Sequence, residues 1–123
     1  MSTTTKQVAD RYYELFKQGK SPQIVEELYG HDVVNREPEH AIAQGVPTVT
    51  KGLDAVKAKS KAGAERIEQV HGFFCTEPLV AGSFFTMTMG RELTLKGGPR
   101  IAREEVAVFE VKDGKIVLEQ FFY

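Results

Sequence analysis

Hydrophobic residues recur at every third or fourth position in the first half of the chain, which predicts helices there. Residues 5–18 form the first predicted helix, and Gly19 supplies its stop. Ser21 and Pro22 favour the start of a short second helix, which ends near Gly30. A third helix is predicted to open at Gly52, with apolar or small residues at helical spacing: Leu53, Val56, Ser60, Gly63 and Ile67. Its solvated side is predicted to carry three lysines: Lys57, Lys59 and Lys61.

Alternating apolar and polar positions replace this spacing later in the chain and predict strands. The predicted strands cover residues 70–75, 80–91, 101–111 and 115–123, and a short earlier strand covers 32–36. Residues 39–50 contain Gly45 and Pro47 and are predicted to form a loop, which is long for a chain of this size. Since helices come first and strands follow, the order predicts an α+β fold.

Asp113-Gly114 is a strong hairpin signal, and it allows the sheet faces to be predicted. A two-residue turn would place Phe109 opposite Leu118 and Ala107 opposite Gln120. One face would then be apolar near the turn and gain polar groups further away: Arg103, Glu105 and Gln120. An apolar surface that grades into polar groups is typical of a ligand pocket. The other face would carry three glutamates together with Phe121 and Tyr123.

Composition narrows the class of protein without indicating a chemistry. The 123 residues are enough for one domain, predicted to span residues 1–123. The net charge of -1 disfavours a nucleic-acid binder, and no apolar run reaches the ~20 residues that cross a membrane. Cys75 is the only cysteine, which excludes an intrachain disulfide and fits a reducing compartment. A cytoplasmic protein is therefore expected.

The order of elements and several short motifs resemble the nuclear transport factor 2-like superfamily, above all its SnoaL-like (polyketide-cyclase-like) and ketosteroid-isomerase-like branches. The motifs that carry the resemblance are residues 11–19, Ile24-Val25, Leu28-Tyr29, His31-Asp32, Glu37-Pro38, residues 52–56 and residues 109–117. The resemblance implies a cone-shaped α+β fold, also described as a cystatin-like α+β barrel. In this fold a strongly bent, mixed or antiparallel sheet carries three N-terminal helices on its concave face, around a pocket. It also implies a homodimer formed through the outer sheet face.

The ketosteroid-isomerase-like branch also implies roles for individual residues. A carboxylate just before a proline is the general base there, and Glu37 matches it. A tyrosine of the first helix donates a hydrogen bond to the developing oxyanion, and Tyr12 matches it. The second oxyanion donor of these isomerases falls on Ala107, so it is missing, and the loss of one donor typically costs a factor of ~100 or more in rate. Glu105 lies on the same predicted face and is an alternative acid.

Each of these residues also has a purely structural interpretation. Glu37 is alternatively a solvated loop carboxylate, and Tyr12 a core residue. Arg103 and Glu105 are expected to form an ion pair. His40 lies in the predicted loop and is placed at the mouth of a pocket, whereas Phe109 and Gln120 are predicted to contact a ligand. The three histidines lack metal-ligand spacing, so neither a metal nor another cofactor is expected.

Three functions remain open at this point. The first is a cofactor-independent isomerase or cyclase that acts on a small, mainly apolar carbonyl compound, with Glu37 and Tyr12 as its apparatus. The second is a pocket that binds a small hydrophobic molecule without changing it. The third is an interaction module whose exposed sheet face, with Phe121 and Tyr123, docks a partner or a second copy. A dimer with two pockets would combine them.

Overall fold

A computed structural model describes residues 3–123, and its elements follow the predicted order, helices before strands. The helices are α1 (Thr5–Lys17), α2 (Ser21–Leu28) and α3 (Leu53–Glu65), with a 3-10 helix at Glu39–Gln44. The strands are β1 (Tyr29–Arg36), β2 (Val49–Lys51), β3 (Ile67–Cys75), β4 (Leu79–Ala81), β5 (Phe84–Leu95), β6 (Arg100–Lys112) and β7 (Lys115–Phe122).

Local sequence signals fix where the helices begin. Thr4 and Gln7 form a capping box at the start of α1: the Thr4 hydroxyl accepts a hydrogen bond from the Gln7 backbone at 3.1 Å, and the Gln7 side chain accepts one from the Thr4 backbone at 2.8 Å. Pro22 occupies the first turn of α2, where a missing N–H costs nothing. Gly52 precedes α3 at a φ of 92°, a conformation that other residues rarely adopt.

The strands form one curved, open sheet in the order β2-β1-β7-β6-β5-β3, with β4 paired to the first part of β5. Only the β1–β7 pair is parallel among the described strands, so the sheet is mixed, in agreement with the expected fold. The helices pack on the concave face. Their buried side chains meet the inward-facing residues of β5, β6 and β7 in one core that includes Tyr12, Leu15, Phe85, Phe109 and Ile116.

A β-bulge in β7 overturns the predicted register of the last hairpin. The turn itself is as predicted: Asp113 and Gly114 have φ values of 52° and 76°, and Lys112 pairs with Lys115. Beyond Val111 and Ile116 the register shifts by one residue, so that Phe109 lies opposite Glu119. Because side chains alternate between faces, the shift turns the outer part of β7 over. The prediction that Gln120 faces inward is therefore wrong.

Two further elements differ from the sequence prediction. The strand predicted over residues 80–91 is divided into β4 and β5 by a turn at Gly82, whose φ is 60°. The predicted loop over residues 39–50 contains the 3-10 helix and the short strand β2, which pairs with β1. Both differences concern short segments that are held by neighbouring strands, and the local sequence pattern does not report such pairing.

Candidate functional site

A cavity of about 620 Å³ lies between the three helices and the concave face of the sheet. Its volume falls within the range of about 300–1,000 Å³ that is common for sites of small organic ligands. Apolar side chains from α1, α2, α3, β3, β5 and β7 form much of the wall: Phe16, Ile24, Val56, Ile67, Met89 and Phe121. The polar groups are concentrated on the strands and on the inner side of α3. The interior is therefore hollow and mainly apolar, with polar groups in defined places.

Glu37 points into this cavity and is held by three hydrogen-bond donors. Glu37 directly follows the last residue of β1 and precedes Pro38. Its backbone N–H donates a hydrogen bond to the Thr48 carbonyl oxygen at 2.9 Å. Its side chain is only 10% exposed. Lys59 Nζ lies 3.0 Å and Asn35 Nδ2 3.1 Å from Glu37 Oε2, and the Tyr123 hydroxyl donates to Oε1 at 2.8 Å. The orientation of the carboxylate is thus fixed from three sides.

Glu119 is a second carboxyl group of the cavity, and it is deeply buried. The Tyr29 hydroxyl donates to Glu119 Oε1, and Asn35 Nδ2 donates to Oε2 at 2.9 Å. Burial raises the pKa of Glu119, although both hydrogen bonds oppose this effect. Asn35 also accepts a hydrogen bond from Lys59, so a single amide links Glu119 to the ion pair of Lys59 and Glu37.

Glu105 differs from the other two because its carboxyl group has no hydrogen bond or ion pair with residues 3–123. It lies on the inner face of β6, opposite Met89 of β5. Burial, and next to it the charge of Glu37, raises the pKa of Glu105 to about 7, although Arg91 and Arg103 act in the opposite direction. The expected ion pair between Arg103 and Glu105 does not form within 4.0 Å in this part of the chain.

Tyr12 joins the core to the cavity. Its ring packs against Phe109 and Phe85, with centroid distances of 4.7 Å and 6.0 Å, while the residue also lines the cavity wall. Burial, followed by the charges of Glu119 and Glu105, raises the pKa of the Tyr12 hydroxyl well above its usual value. The hydroxyl therefore stays protonated and is suited to donate a hydrogen bond.

The structure brings together only part of the predicted site. Tyr12, Glu37, Arg103 and Glu105 all line the cavity. The other three predicted residues do not. Phe109 is fully buried beneath the wall, and Gln120 lies on the opposite face of β7. His40 is exposed, and its ring packs against that of Tyr123 with 5.5 Å between the ring centroids. Phe109 supports the cavity wall indirectly, because its ring packs edge-on against that of Phe121, with 6.4 Å between the ring centroids.

Several polar residues that line the cavity are absent from the set predicted by sequence, among them Tyr29, Asn35, Lys59, Arg91, Glu119 and Tyr123. Lys59 sits between Lys57 and Lys61, and the prediction of a solvated flank of the helix is wrong for this one lysine. Spacing offers a signal here, because Lys59 lies three residues after Val56, which is on the buried side of α3. Glu119 and Tyr123 face inward, against the prediction, because of the bulge in β7.

The two carboxyl groups of Glu37 and Glu105 have contrasting environments, and this contrast defines the chemistry available. Glu37 is ion-paired and hydrogen-bonded, while Glu105 has no bonded partner in the described chain and titrates near neutral pH with a pKa of about 7. Such a pair is suited to work as base and acid in proton transfer.

Residues 3–123 contain no cluster of three or more His, Cys, Asp or Glu side chains placed to hold a metal ion. In the same range no helix is long and apolar enough to span a membrane.

The architecture is that of the NTF2-like cone fold, and comparisons with known proteins agree. The family model of the SnoaL-like domain matches residues 3–123, so the chain belongs to the SnoaL-like family. No protein of curated function matches it in sequence.

Solved structures support the same assignment. A protein from Mesorhizobium loti, named as a candidate SnoaL-like polyketide cyclase with carbohydrate phosphatase as a second label, is 31% identical, with a TM-score of 0.89 over 98% of this chain and 100% of its own. An NTF2-like protein of unknown function from Burkholderia pseudomallei is 20% identical, with a TM-score of 0.77 over 98% and 92%. A protein with a cystatin-like fold from Xanthomonas campestris is 17% identical, with a TM-score of 0.76 over 98% and 90%. The latter two show the fold alone.

Proposed function

We propose that the protein is an isomerase- or cyclase-type enzyme that moves a proton on a small, mainly apolar carbonyl compound without a cofactor. One observation carries the proposal: Glu105 has a pKa of about 7 and no bonded partner among residues 3–123, and it shares the cavity with the ion-paired Glu37. A general acid or base is most effective when its pKa lies near the working pH. An apolar wall around two such groups favours an organic substrate.

Glu37 is the proposed base. An ionised carboxylate offers about four lone-pair positions. Tyr123 takes one on Oε1, while Lys59 and Asn35 take two on Oε2, so one position on Oε1 remains for a substrate proton. The three donors together hold the carboxylate in place, which lowers the entropic cost of reaching the reactive geometry. In the reaction, the C–H proton beside the carbonyl passes to Glu37, and the bonding electrons move into the enolate.

Tyr12 and protonated Glu105 are the proposed donors to the enolate oxygen. The Tyr12 hydroxyl keeps its proton because burial raises its pKa. Glu105 in its acid form supplies the second hydrogen bond, for which Ala107 has no donor. Return of the proton from Glu37 to a different carbon completes an isomerisation. In a cyclisation, the enolate carbon instead attacks a second carbonyl of the same molecule. The π bond of that carbonyl breaks to give an alkoxide, and the proton held by Glu37 passes to the alkoxide oxygen. The relative from Mesorhizobium loti, named as a candidate polyketide cyclase, supports this reaction type.

Hydrogen–deuterium exchange on a panel of model carbonyl compounds tests the proposal. Ketones, unsaturated ketones and aromatic polyketide fragments are incubated with the protein in D₂O, and label at the carbon beside the carbonyl is followed by ¹H NMR. We expect exchange with at least one compound class, and a reduction of about 100-fold or more in Glu37→Gln, in line with the loss of a general base. Glu105→Gln should slow exchange and remove a pH dependence near the pKa of about 7.

Glu104→Gln is the matched control. Glu104 is the neighbour of Glu105 on β6 and points to the opposite, solvent-exposed face of the sheet. The substitution changes the same charge at nearly the same place but leaves the cavity unaltered. Exchange that is unaffected in Glu37→Gln, or that falls equally in Glu104→Gln, would reject the assigned roles.

A second candidate function is binding of a small hydrophobic molecule without turnover. It is favoured by the hydrogen bonds of Glu37, since both carboxylate oxygens already have donors within 3.1 Å. In that case a panel ligand raises the melting temperature of the protein by mass action. The ligand is then recovered chemically unchanged and without deuterium, which separates this function from the first.

A further inference from the structure

Two arginines stand side by side on the inner face of the sheet. Arg91 of β5 and Arg103 of β6 are directly opposite one another in the antiparallel register, and both line the cavity. Like charges directly opposite one another destabilise a strand pair. Within residues 3–123, no carboxylate lies within the 4.0 Å of an ion pair from either guanidinium.

The outer face of the same two strands provides a comparison, because an arginine there forms an ion pair with a glutamate. There Arg100 of β6 reaches Glu92 of β5, with Arg100 Nε 2.8 Å from Glu92 Oε1. On the inner face, the nearest acids are in other environments: Glu37 is bonded to Lys59, and Glu105 is two residues from Arg103 without contacting it. Within residues 3–123, neither Arg91 nor Arg103 therefore forms an ion pair that would offset their mutual repulsion, and both side chains are solvent-exposed.

The charges of both arginines act on titratable groups of the cavity. The charge of Arg91 acts on Tyr12 and Glu105, and the charge of Arg103 acts on Glu105 and Tyr123. Two guanidinium groups offer up to about ten N–H donors, arranged in planar forks that match the two oxygens of a carboxylate. The apolar side chains of Met89 and Phe121 line the same cavity.

We propose that Arg91 and Arg103 form an anion site at the mouth of the cavity, and that the ligand carries a carboxylate or similar acidic group beside an apolar or aromatic body. The anionic group binds between the two guanidinium groups, and the body extends over Met89 and Phe121 towards Glu37 and Tyr12. This names the ligand class of the proposed active site and rests on that site only for the location of the ligand. Binding of the anion does not require turnover.

Calorimetric titration with 2-naphthoate and its neutral analogue 2-naphthamide tests the proposal. The two probes share ring, size and shape, and differ in charge. The titrations are done at about pH 6, because Glu105, with a pKa of about 7, is then mainly protonated and does not repel the anion. We expect naphthoate to bind about tenfold more tightly than the amide or better. Arg91→Gln and Arg103→Gln should each weaken naphthoate about five- to tenfold, while the amide is little affected.

Arg100→Gln is the matched control, since it removes the same charge from the same strand but on the outer face. It should leave naphthoate affinity unchanged, whereas Arg103→Lys should retain part of it. Each variant is first checked for an unchanged melting profile, and Arg103→Lys keeps the test valid if a glutamine variant does not fold. Equal affinity for the two probes, no measurable naphthoate binding at millimolar concentration, or an equal loss in Arg100→Gln would overturn the proposal.

The outcome is separable from that of the catalytic proposal. Deuterium exchange depends on Glu37, whereas naphthoate affinity in this scheme depends on the arginines. Naphthoate binding that is retained in Glu37→Gln and weakened in Arg91→Gln supports the anion site even if no exchange is detected. Exchange without charge-selective binding leaves the catalytic proposal standing and rejects the anion site.

Discussion

The three carboxyl groups of the cavity differ in their bonding partners, and those partners decide what each group can do. Glu119 is enclosed by Tyr29 and Asn35 and holds the strands β1 and β7 together from within. Glu37 is fixed by Lys59, Asn35 and Tyr123. Of the three, Glu105 has no such partner in residues 3–123, so its proton is the one that is exchanged near neutral pH, at a pKa of about 7.

The raised pKa of Glu105 predicts a pH dependence of stability. A carboxyl group that binds its proton more tightly in the folded state stabilises the fold below its unfolded pKa of about 4.5, and this contribution is lost as the pH rises to about 7. We expect the unfolding free energy of the wild type to fall by about 2 kcal/mol relative to Glu105→Gln between about pH 5 and pH 8. Urea denaturation of both proteins at each pH measures this difference.

Glu104→Gln again serves as the control, because its exposed carboxyl group should leave the pH dependence of the wild type unchanged. Parallel stability curves of the wild type and Glu105→Gln would show that Glu105 is not perturbed by the fold. Glu119 also has a raised pKa, but it is present in all three proteins and so cancels in the comparison.

Single-residue chemistry could be predicted from the sequence only where a motif or a helical stripe located the side chain. Tyr12 lies on the apolar stripe of α1, and Glu37 lies before a proline, and both reach the cavity as expected. Asn35 has no such motif, and the helical spacing of Lys59 indicates only that it lies on the buried side of α3. Their importance comes from a contact between α3 and β1, which are separated by the 3-10 helix and β2, and no local pattern encodes a distance across the fold.

Among the elements, the last hairpin shows how one extra residue changes the site. The bulge in β7 follows Ile116, and every side chain beyond it exchanges faces. Glu119, Phe121 and Tyr123 thereby enter the cavity, and Gln120 leaves it. Alternation alone could not reveal this shift because β7 is apolar on both faces near the bulge, where Ile116, Val117 and Leu118 follow one another.

The turn of this hairpin and the helix α3 allow a paired prediction with glycine-to-alanine substitutions. Gly114 has a φ of 76°, and an added Cβ would lie 3.0 Å from Thr3 Cβ, so Gly114→Ala should destabilise the protein by more than about 1 kcal/mol. Gly63 lies inside α3 with open space around it, and Gly63→Ala should stabilise the protein by about 0.5–1 kcal/mol.

Thermal and urea denaturation of the two variants provide the measurement. The same chemical change is made in both, so their opposite signs would reflect backbone conformation and space alone. A Gly114→Ala protein as stable as the wild type would contradict the left-handed turn. A destabilised Gly63→Ala protein would mean that the interior of α3 is not the regular helix described.

On the scale of the whole molecule, the helices-then-strands order and the turn signals were enough to predict the mixed α+β architecture. The curvature that creates the cavity is a different matter. It results from pairing across a six-strand path, from the parallel contact between β1 and β7, and from irregular registers in β1, β3 and β7. These are properties of the assembled sheet, and for them the resemblance to a known family supplied what residue patterns could not.

The convex face of this sheet is the surface on which the expected homodimer would form. The register places Val106 opposite Phe122 on the outer face, with Phe74 and Phe84 on the same side. All four are more than 40% exposed, which is unusual for neighbouring large apolar side chains on a protein that remains alone in solution. The sequence pattern predicts Phe121 and Tyr123 on this outer face, but both line the cavity instead. The exposed apolar residues of the outer face are therefore different ones from those predicted.

We therefore expect a dimer at tens of micromolar by analytical ultracentrifugation, with Val106→Glu shifted to the monomer because it places a charge among the buried apolar groups of the interface. Ile42→Glu is the control: Ile42 is 64% exposed but belongs to the 3-10 helix, away from the sheet face. A wild type that sediments as a monomer, or a Val106→Glu variant that remains dimeric, would exclude this face as the contact. If the dimer forms through the convex face, both cavities stay open on the opposite side, and the affinity of Val106→Glu for 2-naphthoate should match that of the wild type.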